Sequence, residues 1–231
     1  MKVNLRPLLN PVNWFRAWQY NRQLTKRRRS ENDPGLSLYS QILTNDMLHY
    51  GYFHDPEVTP ETLSIRDVEE AQVQYAQNII NHLAGDPGLI LDAGCGMGGL
   101  AGLLLNRGYQ TEALTPDKNQ VAHIRHQYPE LPCYQTKFER FEGDKLYDTI
   151  IHSESIQYIK LPDAIAQVDR LLQANGRWVV VDYFRQSSEA RHKSGHLLED
   201  FKARVREQNW TITTEQDITP NVLPTLRFIN M

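Results

Sequence analysis

Residues Ile90–Gly99, ILDAGCGMGG, decide how this chain is read. The first half is apolar and suits a buried strand. The second half is a glycine turn in which Gly94, Gly96 and Gly99 match G-x-G-x-x-G. Glycine lacks a Cβ, so such a turn lets a ligand approach the backbone, and a helix opening behind it offers free N–H groups. In the context of strand, turn and helix the pattern signals a nucleotide-like ligand. The competing reading is a tight strand–helix turn that holds nothing.

Asp92 narrows the choice. It stands two residues before Gly94, giving Asp-x-Gly-x-Gly. A dinucleotide's pyrophosphate is anionic, and a carboxylate at that position would repel it. A carboxylate suits a ligand that carries an ammonium and no phosphate, as S-adenosylmethionine does.

Working outward, the chain alternates. LILDAG, TEALTP, PCYQTKF, YDTIIHSES and RWVVVDYF read as five strands, and WTITTEQDI as a sixth. Between them GLAGLLLNRG, KNQVAHIRHQ, LPDAIAQVDRLLQANG (ended by Gly176) and SEARHKSGHLLEDFKARVREQ read as helices. This alternation predicts an α/β fold, a doubly wound, mainly parallel sheet. Ahead of it, Ser64 with Asp67 forms a capping box. Val68, Ala71, Tyr75, Ile79 and Leu83 then recur at helical spacing, with Gly85 and Pro87 as the stop. Residues 31–63 read as loop with a short helix near 39–47. The boundaries expected are a basic aromatic arm at 1–35, an N-terminal helical cap at 36–88, a ligand-binding domain at 89–218, and a short tail at 219–231.

The D-x-G-x-G glycines, the alternation and YDTII together resemble the Rossmann-type S-adenosylmethionine-dependent methyltransferases, over roughly residues 36–218. The resemblance implies that cofactor, held by Asp92, Gly94, Cys95 and Gly96. LTPDKNQ carries Thr115, where most of these proteins have an acid for the ribose. Thr115 with Gln120 instead matches the branch of tocopherol-type and sterol methyltransferases and of cyclopropane-fatty-acid and mycolic-acid synthases. HYGYF and EEAQ resemble the same branch. That likeness implies that Thr115, Pro116 and Gln120 lie at the ribose and that Tyr52 closes over the methionine end. Thr136, Lys137 and Phe138 would flank the adenine, with Lys137 where an acid is usual. His152 and Ser153 would sit at the cofactor's edge. Proteins of this fold continue into lid helices and a seventh, antiparallel strand. Neither is read in DITPNVLPTLRFINM, so 219–231 reads as the start of a truncated acceptor lid.

The fourth strand ends in HSESIQYI, at the carboxyl edge where ligands of such sheets lie. Glu154, Gln157 and Tyr158 are the catalytic candidates. Glu154 leads, as a base for a hydroxyl or as a counter-charge for a cationic acceptor, with helix capping as its bland alternative. Gln157 and Tyr158 stand where relatives place a histidine. Methyl transfer needs chiefly alignment, and a base only where the acceptor must lose a proton.

The function implied is methyl transfer to O, N or C of a small-molecule or lipid-like acceptor. The alternatives are modification of a lipid alkene, as in cyclopropane synthases, and a non-catalytic cofactor-binding module. Cys133 precedes the third strand and does not match the active-site cysteine of those synthases.

Composition sets the remaining bounds. The 231 residues suffice for one sizeable core. Cys95 lies inside the turn, so a structural bridge to Cys133 is not expected, and free thiols fit a cytoplasmic location. The net charge of −3 divides into +8 on residues 1–30 and −11 on the remainder. The acidic body argues against nucleic acid as a partner. Trp14, Trp18 and the run Lys26–Arg29 suit either a helix packed on the body or contact with an anionic membrane surface.

Overall fold

The structure, a computed structural model, describes residues 44–83, 85–188 and 195–229. The basic arm, with Trp14, Trp18 and Lys26–Arg29, lies outside the described residues.

Five strands form one parallel sheet: β1 (Ile90–Ala93), β2 (Thr111–Thr115), β3 (Cys133–Gln135), β4 (Tyr147–Ser153) and β5 (Leu172–Val181), in the order β3-β2-β1-β4-β5. This is the Rossmann-like arrangement expected from the alternation. The order reverses between β1 and β4, which opens a crevice beyond their carboxyl ends.

Helix α1 (Ile65–Asn81) begins where the sequence places it. Ser64 accepts from Asp67 N–H while the Asp67 carboxylate accepts from Ser64 N–H. Its Tyr75, Ala76, Ile79 and Ile80 are buried with Ile90, Ile151 and Val179 of the sheet and with Leu100 and Leu104 of α2 (Gly99–Asn106). Leu91, Leu114 and Ile150 point to the opposite face, against Val168 and Leu171 of α4 (Leu161–Leu171). Helix α3 (Lys118–Gln127) closes a third cluster through Ile124 with Ala101, Ala113 and Leu131. Strand side chains alternate between faces, so Asp92, Ile151 and Ser153 share the α1 side while His152 faces α4.

Several boundaries depart from expectation. Helix α4 stops at Leu171 rather than at Gly176, because residues 172–176 are drawn into β5 with a register shift between Tyr147 and Thr149. WTITTEQDI forms no strand: in residues 210–218 only Trp210, Ile212 and Ile218 have any burial. Trp210 instead packs edge-on against Trp178, with ring centroids 5.6 Å apart. Among the described residues of SEARHKSGHLLEDFKARVREQ, the helical part is α5 (Leu198–Glu207). Just before it, β7 (His196–Leu197) pairs with β6 (Phe184–Arg185) in a separate ribbon. The described part of the segment near 39–47, from Thr44 on, is not helical.

The tail 219–229, read without regular structure, forms helix α6 (Thr219–Ile229). Asp217 caps it by accepting from Thr219 N–H. The interior Pro224, which cannot donate within a helix, is what hides this element in the sequence. Among the described residues no helix is long and apolar enough to cross a membrane.

Candidate active site

The glycine turn is built from left-handed backbone. Gly94 has φ +87° and Gly96 φ +57°, conformations that cost little only without a Cβ. A Cβ at Gly94 would meet the Ser155 Cβ at 2.5 Å. Gly94 N–H and Cys95 N–H both donate to Leu114 O, which ties the turn to β2.

Asp92 lies just below this turn and is 1% exposed. The Ala101 N–H, in the first turn of α2, donates to its carboxylate. Its Oδ2 has no hydrogen-bond partner among the described residues. Burial holds the proton on, and raises its pKa to about 7 against the opposing pull of Ala101 N–H. A buried carboxylate oxygen without a donor suits an incoming ammonium. The residues present therefore fit the methionine end of the cofactor.

At the end of β2, Thr115 Oγ1–H donates to Gln120 Oε1 at 2.5 Å, and both residues are buried. Asp117 caps α3 through Asn119 N–H and Gln120 N–H. Thr115, Pro116 and Gln120 thus form one rigid corner. Thr136 N–H donates to Thr115 O, and Thr136 is half-buried beside that corner.

Of the other residues expected at the cofactor, one is exposed and two are buried in the core. The Lys137 side chain is exposed. Phe138 is buried in the core, edge-on to His152 with centroids 4.6 Å apart. His152 is fully buried on the α4 side, where Nδ1 accepts from Trp178 Nε1–H. Burial pushes its pKa down to about 3, so it is neutral. The cause is strand alternation: Ser153, next in the chain, has its buried Oγ on the opposite face.

The surroundings of Glu154 are assembled from distant segments. A strap, residues 44–53, crosses the glycine turn: Leu48 Cδ1 would lie 3.1 Å from a Cβ at Gly96, and Asp46 O accepts from Gly99 N–H. The EEAQ residues of α1 hold it. Gln72 Nε2 donates to Met47 O and His49 O, and Glu69 Oε1 accepts from Thr44 N–H and Oγ1–H. Helix α6 holds the other end, where Gly51 N–H donates to Thr225 Oγ1 and Asn221 Nδ2–H to Phe53 O. Tyr52 sits on this strap, partly buried against the α1 core, with His54 edge-on at 5.4 Å.

The strap delivers Tyr50 N–H to Glu154 Oε1 at 3.0 Å. Glu154 itself has φ +52°, an uncommon conformation for a residue with a side chain, of the kind that gathers at functional sites. Burial raises its pKa to about 7. The Tyr50 N–H opposes that shift, negative Asp182 adds to it, and the Tyr75 hydroxyl favours the ionised form. Tyr75 stacks on His49 with centroids 4.4 Å apart. Burial lowers the His49 pKa to about 4, so this imidazole is neutral. Its Nδ1 donates to Tyr50 O, leaving Nε2 buried as an acceptor without a partner among the described residues. Asp182, following β5, accepts from Tyr183 N–H and Gln157 N–H. Burial raises its pKa to about 6.

Of the three catalytic candidates, Glu154 and Gln157 belong to this cluster, Gln157 through its backbone. Tyr158 does not: its side chain is 81% exposed and borders a different cleft with Arg140 and Lys160. The 3-10 turn at Ile156–Tyr158 rotates it outward. The sequence reading missed His49, Asp182 and the polar role of Tyr75. A His inside HYGYF was a usable signal, whereas Tyr75 looked like helix core and Asp182 like the end of a strand.

Residues 91–180 match the family described as a methyltransferase domain. An uncharacterized methyltransferase of Alkaliphilus oremlandii (strain OhILAs) is 26% identical over 132 residues, 52% of this chain. The match spans 61% of that relative's length. Among solved structures, geranyl diphosphate C-methyltransferase from Streptomyces coelicolor A3(2), crystallised with Mg2+, geranyl diphosphate and S-adenosyl-L-homocysteine, superposes with TM-score 0.69. Its identity is 20%, over 88% of this chain and 84% of that one. A cyclopropane synthase from Mycobacterium tuberculosis gives TM-score 0.66 at 18% identity, over 84% of this chain and 78% of that one.

Proposed function

We propose that this chain, whose residues 91–180 match the methyltransferase-domain family, transfers a methyl group from S-adenosylmethionine to a small-molecule or lipid-like acceptor. The observation that carries the proposal is the buried Asp92, with an unpartnered oxygen under a glycine turn, on the sheet edge that also presents Glu154. S-adenosylmethionine supplies a methyl group already activated on a sulfonium. Asp92 takes the ammonium, and the turn at Gly94–Gly96 admits the chain of that ligand close to the backbone. The Thr115–Gln120 corner bounds the sugar side. Tyr52 and Leu48 lie on the strap that excludes water from above.

Glu154 acts on the acceptor. With a pKa of about 7 it is a competent base near neutral pH for a hydroxyl, and once ionised a counter-charge for a cationic acceptor. Tyr50 N–H holds its Oε1 in place, and the Tyr75 hydroxyl steadies the ionised form.

Calorimetry tests the cofactor half: S-adenosylhomocysteine binds and NAD does not, and tight NAD binding would overturn the reading. Incubation of cell extracts with isotopically labelled S-adenosylmethionine, followed by identification of the labelled product, tests transfer and names the acceptor. Absence of protein-dependent labelling in every extract would favour a binding module. For the basic arm we propose contact with anionic lipid. Sedimentation with phosphatidylserine vesicles should weaken as salt rises, and salt-independent or absent binding would refute it.

A further inference from the structure

Two thiols far apart in sequence meet beside the cofactor turn. Cys95 leaves β1 and donates its N–H to Leu114 O of β2. Cys133 opens β3 and pairs in register with Ala113 of the same strand. Both side chains pack on the cluster Ala101, Ala113, Ile124 and Leu131, where each thiol perturbs the ionisation of the other, and the Cys95 thiol also donates to Gly96 O at 3.8 Å. Both are free and partly exposed. Cys133 also lines a surface cleft of about 400 Å³ with Arg125, Tyr134, Thr136 and Arg140. The two cysteines are 38 residues apart in the chain, and both pack against Ala113 of β2, a third segment.

We propose that Cys95 and Cys133 are a peroxide-sensitive dithiol whose closure to a disulfide switches off cofactor binding. This rests on the reading of the glycine turn as the cofactor cradle. Their roles differ. The Cys95 thiol beside it and, more weakly, Arg125 favour the Cys133 thiolate against the opposing effect of burial, whereas the Cys95 thiol, engaged with Cys133 and with its sulfur enclosed, resists ionisation. Cys133 is therefore the attacking sulfur, reached through the cleft. Its thiolate displaces hydroxide from hydrogen peroxide: an S–O bond forms, the O–O bond breaks, and the hydroxide takes up a proton to become water. The Cys95 sulfur then attacks Cys133–SOH. The S–S bond forms as the S–O bond breaks, and the Cys95 proton leaves with the hydroxide as a second water. Two thiols are oxidised and one peroxide is reduced to two waters. A disulfide holds its sulfurs at about 2.05 Å, much closer than a thiol hydrogen bond. Closure thus drags Cys95, and with it Gly94 and Gly96, toward β3 and out of the geometry that admits the ligand.

The test uses the full chain treated with hydrogen peroxide. Mass spectrometry should show a loss of ~2 Da and a linked Cys95–Cys133 peptide. Calorimetry with S-adenosylhomocysteine should show affinity at least about tenfold weaker after oxidation, restored by dithiothreitol. The variant Cys133→Ser should bind S-adenosylhomocysteine like the untreated parent, with or without peroxide. No mass loss, a disulfide that leaves affinity unchanged, or a Cys133→Ser protein still weakened by peroxide would each overturn the switch. Reduced protein that fails to bind S-adenosylhomocysteine at all would instead overturn the cofactor reading beneath it.

Discussion

The two halves of the site are built in opposite ways. The cofactor half comes largely from short contiguous runs, Asp92–Gly99 and Thr115–Gln120, each fixed by its own strand end and helix start. The acceptor half draws Tyr50 from the strap, Tyr75 from α1, Glu154 from the end of β4 and Asp182 from the end of β5, and the strap depends in turn on Gln72 and Thr225. A local motif is set chiefly by its own backbone geometry, with a few ties such as those to Leu114 O and Asp46 O. A composite site works only when several long-range contacts form together. Damage should therefore be sharp and confined in the first half, and graded and transmitted in the second.

The largest effect is expected at Asp92. Asp92→Asn keeps the volume and removes the charge, so S-adenosylhomocysteine affinity should fall by roughly a hundredfold or more, the scale of a lost buried charge pair. The same substitution should stabilise the unliganded protein at pH 8. The folded pKa of about 7 is raised above the ordinary 3.8, so the fold favours the protonated form. Its stability therefore falls as pH rises from the carboxylate range to about 7, and the amide escapes that loss. Wild-type cofactor affinity should correspondingly drop as pH falls through 7. Thermal melts at pH 8 and calorimetry from pH 6 to pH 8 check both. An Asn variant that binds normally would remove the ammonium contact.

At Glu154 the expected loss is confined to turnover. Glu154→Gln should lower the rate by roughly a hundredfold, the low end for a missing general base, with S-adenosylhomocysteine affinity nearly unchanged. The wild-type rate should climb as pH rises through about 7, where Glu154 ionises, and that limb should vanish in the variant. Equal losses of affinity and turnover would make Glu154 a cofactor ligand.

A transmitted effect is expected from Gln72, which touches neither ligand. Gln72→Leu deletes two donors to the strap carbonyls of Met47 and His49. Leaving buried carbonyls unsatisfied costs about 1–3 kcal/mol, enough to lower the melting temperature by several degrees in a domain of this size. The displaced Tyr50 N–H should cut turnover about tenfold while affinity changes less. Unchanged turnover with a lowered melting temperature would make the strap purely structural.

This contrast also explains what could be read before the structure was in hand. The parallel sheet, the Ser64 cap and the glycine turn follow from local rules of period, capping and φ. A position at a strand's carboxyl end does not say which face the side chain takes; the alternation of β4 and the packing on Trp178 bury His152 on the α4 side, with Phe138 edge-on to it. Helix α6 was hidden by Pro224, and a strand was expected in 210–218 because alternation was counted without asking whether an edge pairs with it. EEAQ was recognised only as a likeness. Its role in clamping the strap depends on a chain segment more than twenty residues upstream.

The smallest effect is expected at Tyr158, and it is the sharpest check on where the acceptor half ends. The segment HSESIQYI places Tyr158 four residues beyond Glu154, close enough in sequence to orient an acceptor. The 3-10 turn carries it away, to 81% exposure beside Lys160 and Asp163. Its neighbour Gln157 stays inside by giving its backbone N–H to Asp182. Tyr158→Phe removes one hydroxyl from the surface, where substitutions usually change stability by less than about 0.5 kcal/mol. Turnover, cofactor affinity and the pH profile should all stay within about twofold of the parent, since a hydroxyl that touches neither ligand has no differential contact with the transition state. A rate loss of tenfold or more at unchanged melting temperature would mean that the 3-10 turn refolds over the acceptor during turnover. The acceptor half would then extend past Gln157, and Tyr158 would return to it as a group that contacts the substrate.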